Sequence, residues 1–253
     1  MQMIDGGVTA PQGFIANGVL SGIKAGRTKE DTALIFSEKV CNAAGVFTQN
    51  VVKAEPVKLT KLRLSRHKAQ GIIANSGNAN ACTGEQGAWV AVRMTRAAAN
   101  SLSNSEKIGT KVDEDDILVC STGVIGQQLP VEVIEDHMDE LVDGLSKEGH
   151  EKARQAIMTT DTQYKECAVE IELSGKKVRI GTMAKGSGMI HINLGTLGVD
   201  LLYIRKRFGV MRELPFKRIT RCGDRLLRLR AANRALRGRL LLFLGRLIGK
   251  KII

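Results

Sequence analysis

The chain has 253 residues, enough for one large domain or two small ones with a sizeable core. Its five cysteines lie far apart with no CxxC pair, which argues against a disulfide framework and for a reducing, cytoplasmic setting. The net charge of +12 is uneven: residues 201–253 hold 16 Lys and Arg against 2 Asp and Glu, whereas residues 1–200 hold 22 against 24.

The first 200 residues thus have the charge balance of an ordinary enzyme. No apolar run approaches the roughly 20 residues that span a bilayer. The opening MQMIDGGVTAP has no basic and apolar run of the kind that makes a secretory signal. Phe14-Ile15, Val19-Leu20, residues 32–36 (TALIF) and residues 45–48 read as short strands. Residues 58–68 are basic and partly periodic, as in a solvated helix face. Residues 71–74 (GIIA) are β-prone and run into NSGNANA, where Asn, Ser and Gly tolerate left-handed backbone. Thr83 and Gln86 have capping-box spacing, and a helix is expected to about Leu102 with Val90, Met94, Ala97 and Ala98 on one face. The Asn-rich stretch reads either as a structural turn or as a cradle for an anion at the helix N-terminus.

Residues 117–120 (ILVC) repeat the scheme and end in STGVIG, residues 121–126. Pro130 stands where a helix begins. Val131, Ile134, Met138, Leu141 and Leu145 form its apolar stripe. Residues 156–162 (AIMTTDT) gather three threonines and a carboxylate. A hairpin is expected around Ser174-Gly175, with Glu172 facing Lys177, Glu170 facing Arg179, Ile171 facing Val178 and Val169 facing Ile180. One of its faces is salt-paired and the other apolar. Its second strand leads into residues 181–196, GTMAKGSGMIHINLGT. Small residues there let backbone approach a ligand closely, and Lys185 can meet a carboxylate or phosphate.

Five motifs stand in this order: GGVTAPQGF (6–14), NSGNANACTGEQG (75–87), STGVIG (121–126), IMTTDT (157–162) and MAKGSGMIH (183–191). Together they resemble the ornithine acetyltransferase (glutamate N-acetyltransferase) family of arginine biosynthesis, over about residues 6–196. The resemblance implies an α/β fold of layered mixed sheets and helices, in the self-processing, N-terminal-nucleophile-like manner. It implies a multifunctional transferase made as one precursor that cleaves itself between Gly195 and Thr196. Thr196 then becomes the N-terminal nucleophile of a second subunit. Through an acyl-threonine, acetyl passes from N-acetylornithine to glutamate; acetyl-CoA is a further possible donor, and no cofactor or metal is implied. Thr122 and Gly123 match the oxyanion-hole pair, and Thr159 and Lys185 match substrate-binding positions. Assembly in the family joins two α and two β chains, with no specific nucleic acid and no membrane as partner. An N-terminal threonine can use its own α-amine as base, and donors aimed at the oxyanion contribute roughly 3 kcal/mol apiece. Asp161 and His191 are read as structural residues.

Residues 1–195 are accordingly expected to form the first-subunit-like region, and residues 196–253 the start of a second subunit, mostly as an aberrant basic tail. Ile192 stands where the family usually has Pro, and an Arg-rich segment replaces the expected continuation after residue 203. A frameshifted or truncated coding sequence would produce such a break, and little or no transferase activity is then expected of the chain alone. The tail's helically spaced Leu226, Leu229, Leu236, Leu240, Phe243 and Leu247 also fit a non-enzymatic alternative: a basic protein that binds membrane surfaces or nucleic acid.

Overall fold

The computed structural model describes residues 1–186. Seven strands and five α-helices run in the order β1 (Gln2–Ile4), β2 (Phe14–Val19), β3 (Thr32–Asn42), α1 (Glu55–Arg63), β4 (Lys68–Asn78), α2 (Gly84–Asn104), β5 (Ile117–Val124), α3 (Val131–Asp136), α4 (Met138–Asp143), α5 (His150–Ala156), β6 (Lys165–Leu173) and β7 (Lys176–Ala184). They make two sheets, of order β2-β3-β4-β5 and β1-β6-β7. This is the expected α/β architecture of layered mixed sheets and helices. In the larger sheet β2, β3 and β4 are antiparallel neighbours, and β4 and β5 run parallel with α2 as their crossover.

Alternation along the strands builds the layers. Leu34, Phe36, Ile73, Ile117 and Val119 point to one side and join Val90, Met94, Ala98 and Leu102 of α2 with Val131, Ile134, Met138 and Leu141 of α3 and α4. The stripe anticipated over residues 131–145 is fully buried, but Val131, Ile134, Met138 and Leu141 stand on two short helices that meet at His137 instead of one long helix, and Leu145 follows their end. Ala33, Ile35 and Ala74 point to the opposite side, toward Ala153 and Ala156 of α5 and Met183 of β7. Small residues on both partners let these elements come close. The two cores differ in kind: each large apolar side chain of the first contributes about 1.5–3 kcal/mol by burial, whereas the second is a close fit of alanines.

Both edges of the larger sheet are covered. Along β5, the Thr60 hydroxyl of α1 donates to Val119 O at 2.7 Å and accepts from Val119 N–H at 3.0 Å. Arg63 Nη1 donates to Ile117 O at 2.6 Å. Two side chains thus stand in for the next strand and blunt the edge. This corrects the expectation for residues 58–68: the helix is basic on its outer face, but Arg63 is only 5% exposed. Along β2, Ala16 and Ser146 exchange backbone bonds of 2.9 and 3.0 Å. Residues 45–48 do not become one of the strands; Phe47 instead packs against the cluster of Phe14, Leu64 and Ile72.

The hairpin β6–β7 has the expected register, from Leu173↔Lys176 to Lys165↔Ala184. Ser174 (φ 52°) and Gly175 (φ 71°) are both left-handed, as a two-residue type I′ turn requires. Both basic residues converge on Glu170, Arg179 at 2.9 Å and Lys177 at 3.1 Å. Lys177 thus reaches its diagonal neighbour instead of Glu172 opposite it.

The GGVTAP segment joins the two sheets. Gly7–Thr9 is a turn of 3-10 helix, buried throughout. Thr9 Oγ1 lies within hydrogen-bond distance of Gly6 O, at 2.7 Å, and of Lys147 O, and its one proton is shared between them. Gly181 of β7 lies so close beneath it that a Cβ there would sit 2.0 Å from Gly7 O.

Candidate active site

Parallel strands leave a crevice beyond their carboxyl ends, and β4 and β5 end together. Ser76 pairs with Thr122 and Gly77 with Gly123, after which the register slips at Asn78. Gly123 takes φ +139°. A Cβ on it would lie 2.2 Å from Gly77 C and 2.4 Å from Gly77 O. Only glycine fits, for both backbone angle and contact. Thr122 is half-buried and Gly123 exposed. The following loop is fastened from outside: Ala79 N–H donates to Val124 O and Gly126 N–H to Ala81 O, both at 2.8 Å. The turn that presents Thr122 and Gly123 is therefore held at both ends.

The Asn-rich stretch supplies that fastening. Asn75 Nδ2 donates to Asn78 O at 2.9 Å, and Asn78 Nδ2 to Gln127 O and Gln128 O at 3.1 and 3.2 Å. Asn80 Nδ2 donates to Gly87 O at 2.8 Å. All three side-chain amide nitrogens are engaged within the protein, which supports the structural reading of this turn. The capping box is also corrected. The Thr83 hydroxyl donates to Asn80 Oδ1 at 2.7 Å and does not cap α2.

Ser76 ties this corner to the next loop. Its hydroxyl donates to Ala156 O at the end of α5. Two residues on, Arg27 Nη2 donates to Met158 O at 2.8 Å. Thr159 follows, half-buried. Asp161 Oδ2 accepts from Lys185 Nζ at 3.1 Å and, more weakly, from Thr159 N–H at 3.4 Å. Asp161 Oδ1 accepts from Gly186 N–H at 2.9 Å and Lys165 Nζ at 3.0 Å. Burial of the carboxyl opposes its ionisation, but the Lys165 bond, the Gly186 N–H and Lys185 together outweigh that and hold it at about 2. Asp161 is thus more than a local turn residue: it anchors the end of β7.

A chain of contacts therefore connects four anticipated positions. Thr122 and Gly123 lie beside Ser76 and Gly77, Ser76 holds the end of α5, and α5 leads through Thr159 and Asp161 to Lys185. Gly195, Thr196 and His191 lie outside the described residues, as does the basic tail. Sequence reasoning missed Arg27 and Lys165, whose only signal was positive charge. It saw Asp161 without its partners, Lys165 four residues on and Lys185 just past the end of β7.

The nearby thiol does not compete for a nucleophilic role. Burial pushes the Cys120 thiol up to about 12, so it stays protonated. Among the described residues no three His, Cys, Asp or Glu side chains converge as metal ligands, and no helix is long and apolar enough to cross a membrane.

Known proteins are similar to this chain in sequence and in fold. The family model described as the ArgJ family matches residues 15–203. The arginine biosynthesis bifunctional protein ArgJ of Caldanaerobacter subterraneus subsp. tengcongensis is 47% identical over 197 residues, 78% of this chain and 46% of that protein. That of Symbiobacterium thermophilum is 44% identical over 234 residues, 88% of this chain and 56% of that protein. The chain spans about half the length of the curated relatives it matches. The crystal structure of ArgJ from Bacillus halodurans is similar with a TM-score of 0.68 at 37% identity, over 76% of this chain and 96% of that one. Ornithine acetyltransferase from Mycobacterium tuberculosis, complexed with ornithine, is similar with a TM-score of 0.69 at 40% identity, over 76% of this chain and 98% of that one. With the family match covering most of its length and the fold in agreement, the chain belongs to the ArgJ family.

Proposed function

We propose that this chain carries the first half of an acetyl-transfer site for arginine biosynthesis, moving acetyl from N-acetylornithine to glutamate. The observation that carries the reading is the likeness to an ornithine acetyltransferase complexed with ornithine, at 40% identity and across 98% of that chain. The geometry supports it. Thr122 and Gly123 sit on a turn fixed by the β4–β5 ladder. A preorganised turn is what an oxyanion site needs, because donors that need not move stabilise developing charge best. Lys185 is a cation held at the end of β7, suited to a substrate carboxylate.

In this reading the Gly195–Thr196 bond is cleaved first. The Thr196 oxygen then attacks the acetyl carbonyl, and the Thr122–Gly123 pair stabilises the oxyanion. The C–N bond to ornithine breaks, and its nitrogen takes the proton released by Thr196. The glutamate amine next attacks the acyl-threonine ester and restores the hydroxyl. Thr159 and Lys185 hold the substrate, acetyl-CoA is an additional candidate donor, and no further cofactor enters. The partner is a second, β-type subunit, in assemblies of two α and two β chains. Free thiols at Cys41, Cys82, Cys120 and Cys167 suit a cytoplasmic location.

Intact mass spectrometry of the purified chain tests the processing step. Two fragments divided at Gly195/Thr196 support it, and a single intact species counts against it. Transfer of labelled acetyl from N-acetylornithine to glutamate, by the chain with its second-subunit partner, tests the activity. Absence of transfer in an assembled, processed sample refutes the reading.

A further inference from the structure

One buried carboxylate meets two ammonium groups at the end of β7. Asp161 is 5% exposed at its side chain, Lys185 22% and Lys165 37%. Both Asp161 oxygens are occupied, Oδ1 by Lys165 and Gly186 N–H and Oδ2 by Lys185. Lys185 also donates to Gly186 O at 3.1 Å, and Lys165 to Gln163 O at 3.1 Å. An ammonium has three donors. Among the described residues two of those on Lys185 are directed into the protein, which leaves one for a ligand. Lysine side chains are flexible, and these contacts fix this one in place. The charge count matters as much. A single Lys–Asp pair would be neutral, whereas two lysines around one carboxylate keep the cluster at +1 among the described residues.

We propose that Asp161 is a positioning residue that holds Lys185 with one N–H free for a ligand carboxylate, and that Lys165 supplies the second positive charge that keeps this site attractive to anions. The inference rests on the acetyltransferase reading only for the identity of the carboxylate, an amino-acid substrate. The sequence does not announce the arrangement, because Asp161 and Lys185 meet only when β7 returns alongside β6.

Trace acetylation of the full chain by isotope-coded acetic anhydride tests it, with labelling of Lys185 read against exposed Lys111 by peptide mass spectrometry. Losing a charge-assisted hydrogen bond in Asp161→Asn is expected to raise Lys185 labelling roughly fivefold to tenfold. Millimolar N-acetylornithine or glutamate is expected to protect Lys185 in the unchanged chain. Protection should weaken in Lys165→Gln and return in Lys165→Arg, which restores charge without restoring the lysine. The Lys165 pair keeps the test usable should Asp161→Asn fail to fold. Unchanged Lys185 labelling in folded Asp161→Asn overturns the positioning role. Absence of protection in the unchanged chain, or full protection in Lys165→Gln, overturns the charge argument. Protection of Lys185 together with absence of acetyl transfer in the assembled, processed sample removes the transferase reading and leaves this proposal standing.

Discussion

Replacing Gly123 with alanine puts a methyl group where the backbone of β4 already is. Its Cβ would lie 2.2 Å from Gly77 C, 2.4 Å from Gly77 O and 2.5 Å from Asn78 N. Every one of these atoms is backbone, so no side chain can swing away. The φ of +139° adds strain of its own. Strain of about 1–3 kcal/mol and overpacking of about 1–3 kcal/mol give a loss of about 2–6 kcal/mol. For a domain of this size that lowers Tm by roughly 4–24 °C. Gly126 provides the control. It also has positive φ, +74°, but a Cβ there meets nothing within 4 Å. Gly126→Ala should therefore cost only the backbone strain, about 1–2 kcal/mol. Urea unfolding of both variants beside the parent chain measures the difference. Equal losses, within about 0.5 kcal/mol, would refute the claim that contact with β4 makes Gly123 irreplaceable. The case that this contact presents Thr122 and Gly123 rigidly would fall with it.

Asp161 should make stability pH-dependent. Its folded value of about 2 lies below the ordinary carboxylate value, so it contributes stability above roughly pH 4 that is lost as pH falls toward 2. The size is about 2 kcal/mol, and urea midpoints from pH 7 to 2 should flatten over that window in Asp161→Asn; an unchanged profile refutes the assignment. Arg63→Met removes the 2.6 Å donor from buried Ile117 O and should cost about 2–3 kcal/mol, read as a shifted urea midpoint with unchanged slope. Gly181→Ala drives a methyl group to 2.0 Å from Gly7 O. It should cost about 2–3 kcal/mol and speed hydrogen exchange of the β6 and β7 amides more than those of β4.

Several elements were readable before any coordinates, each for a local reason. The β6–β7 register follows from period-two alternation on both strands and a Ser-Gly turn that accepts two positive φ angles. Helix α2 follows from Val90, Met94 and Ala98 at four-residue spacing. The break at His137 was less readable, because an apolar stripe looks the same on one helix or on two short ones in line. Thr83 shows a similar limit. Its spacing to Gln86 fits a cap, in which its hydroxyl would accept from a backbone N–H, but the hydroxyl turns instead to donate to Asn80 Oδ1.

By itself, then, the sequence determined the local periodicities, the turn chemistry, the family motifs and the sharp change of charge beyond residue 200. Tertiary structure decided which motifs are scaffold and which form the site. GGVTAP became a wedge between two sheets, the Asn-rich stretch became the fastening of the Thr122–Gly123 turn, and Arg63 became a substitute for a neighbouring strand. Asp161 found its second partner, Lys185, across a hairpin. The physical reason is common to all four. Hydrogen-bond capacity and charge are written in each residue, but the partner that satisfies them is chosen by chain folding over tens of residues. Local pattern carries no record of that choice.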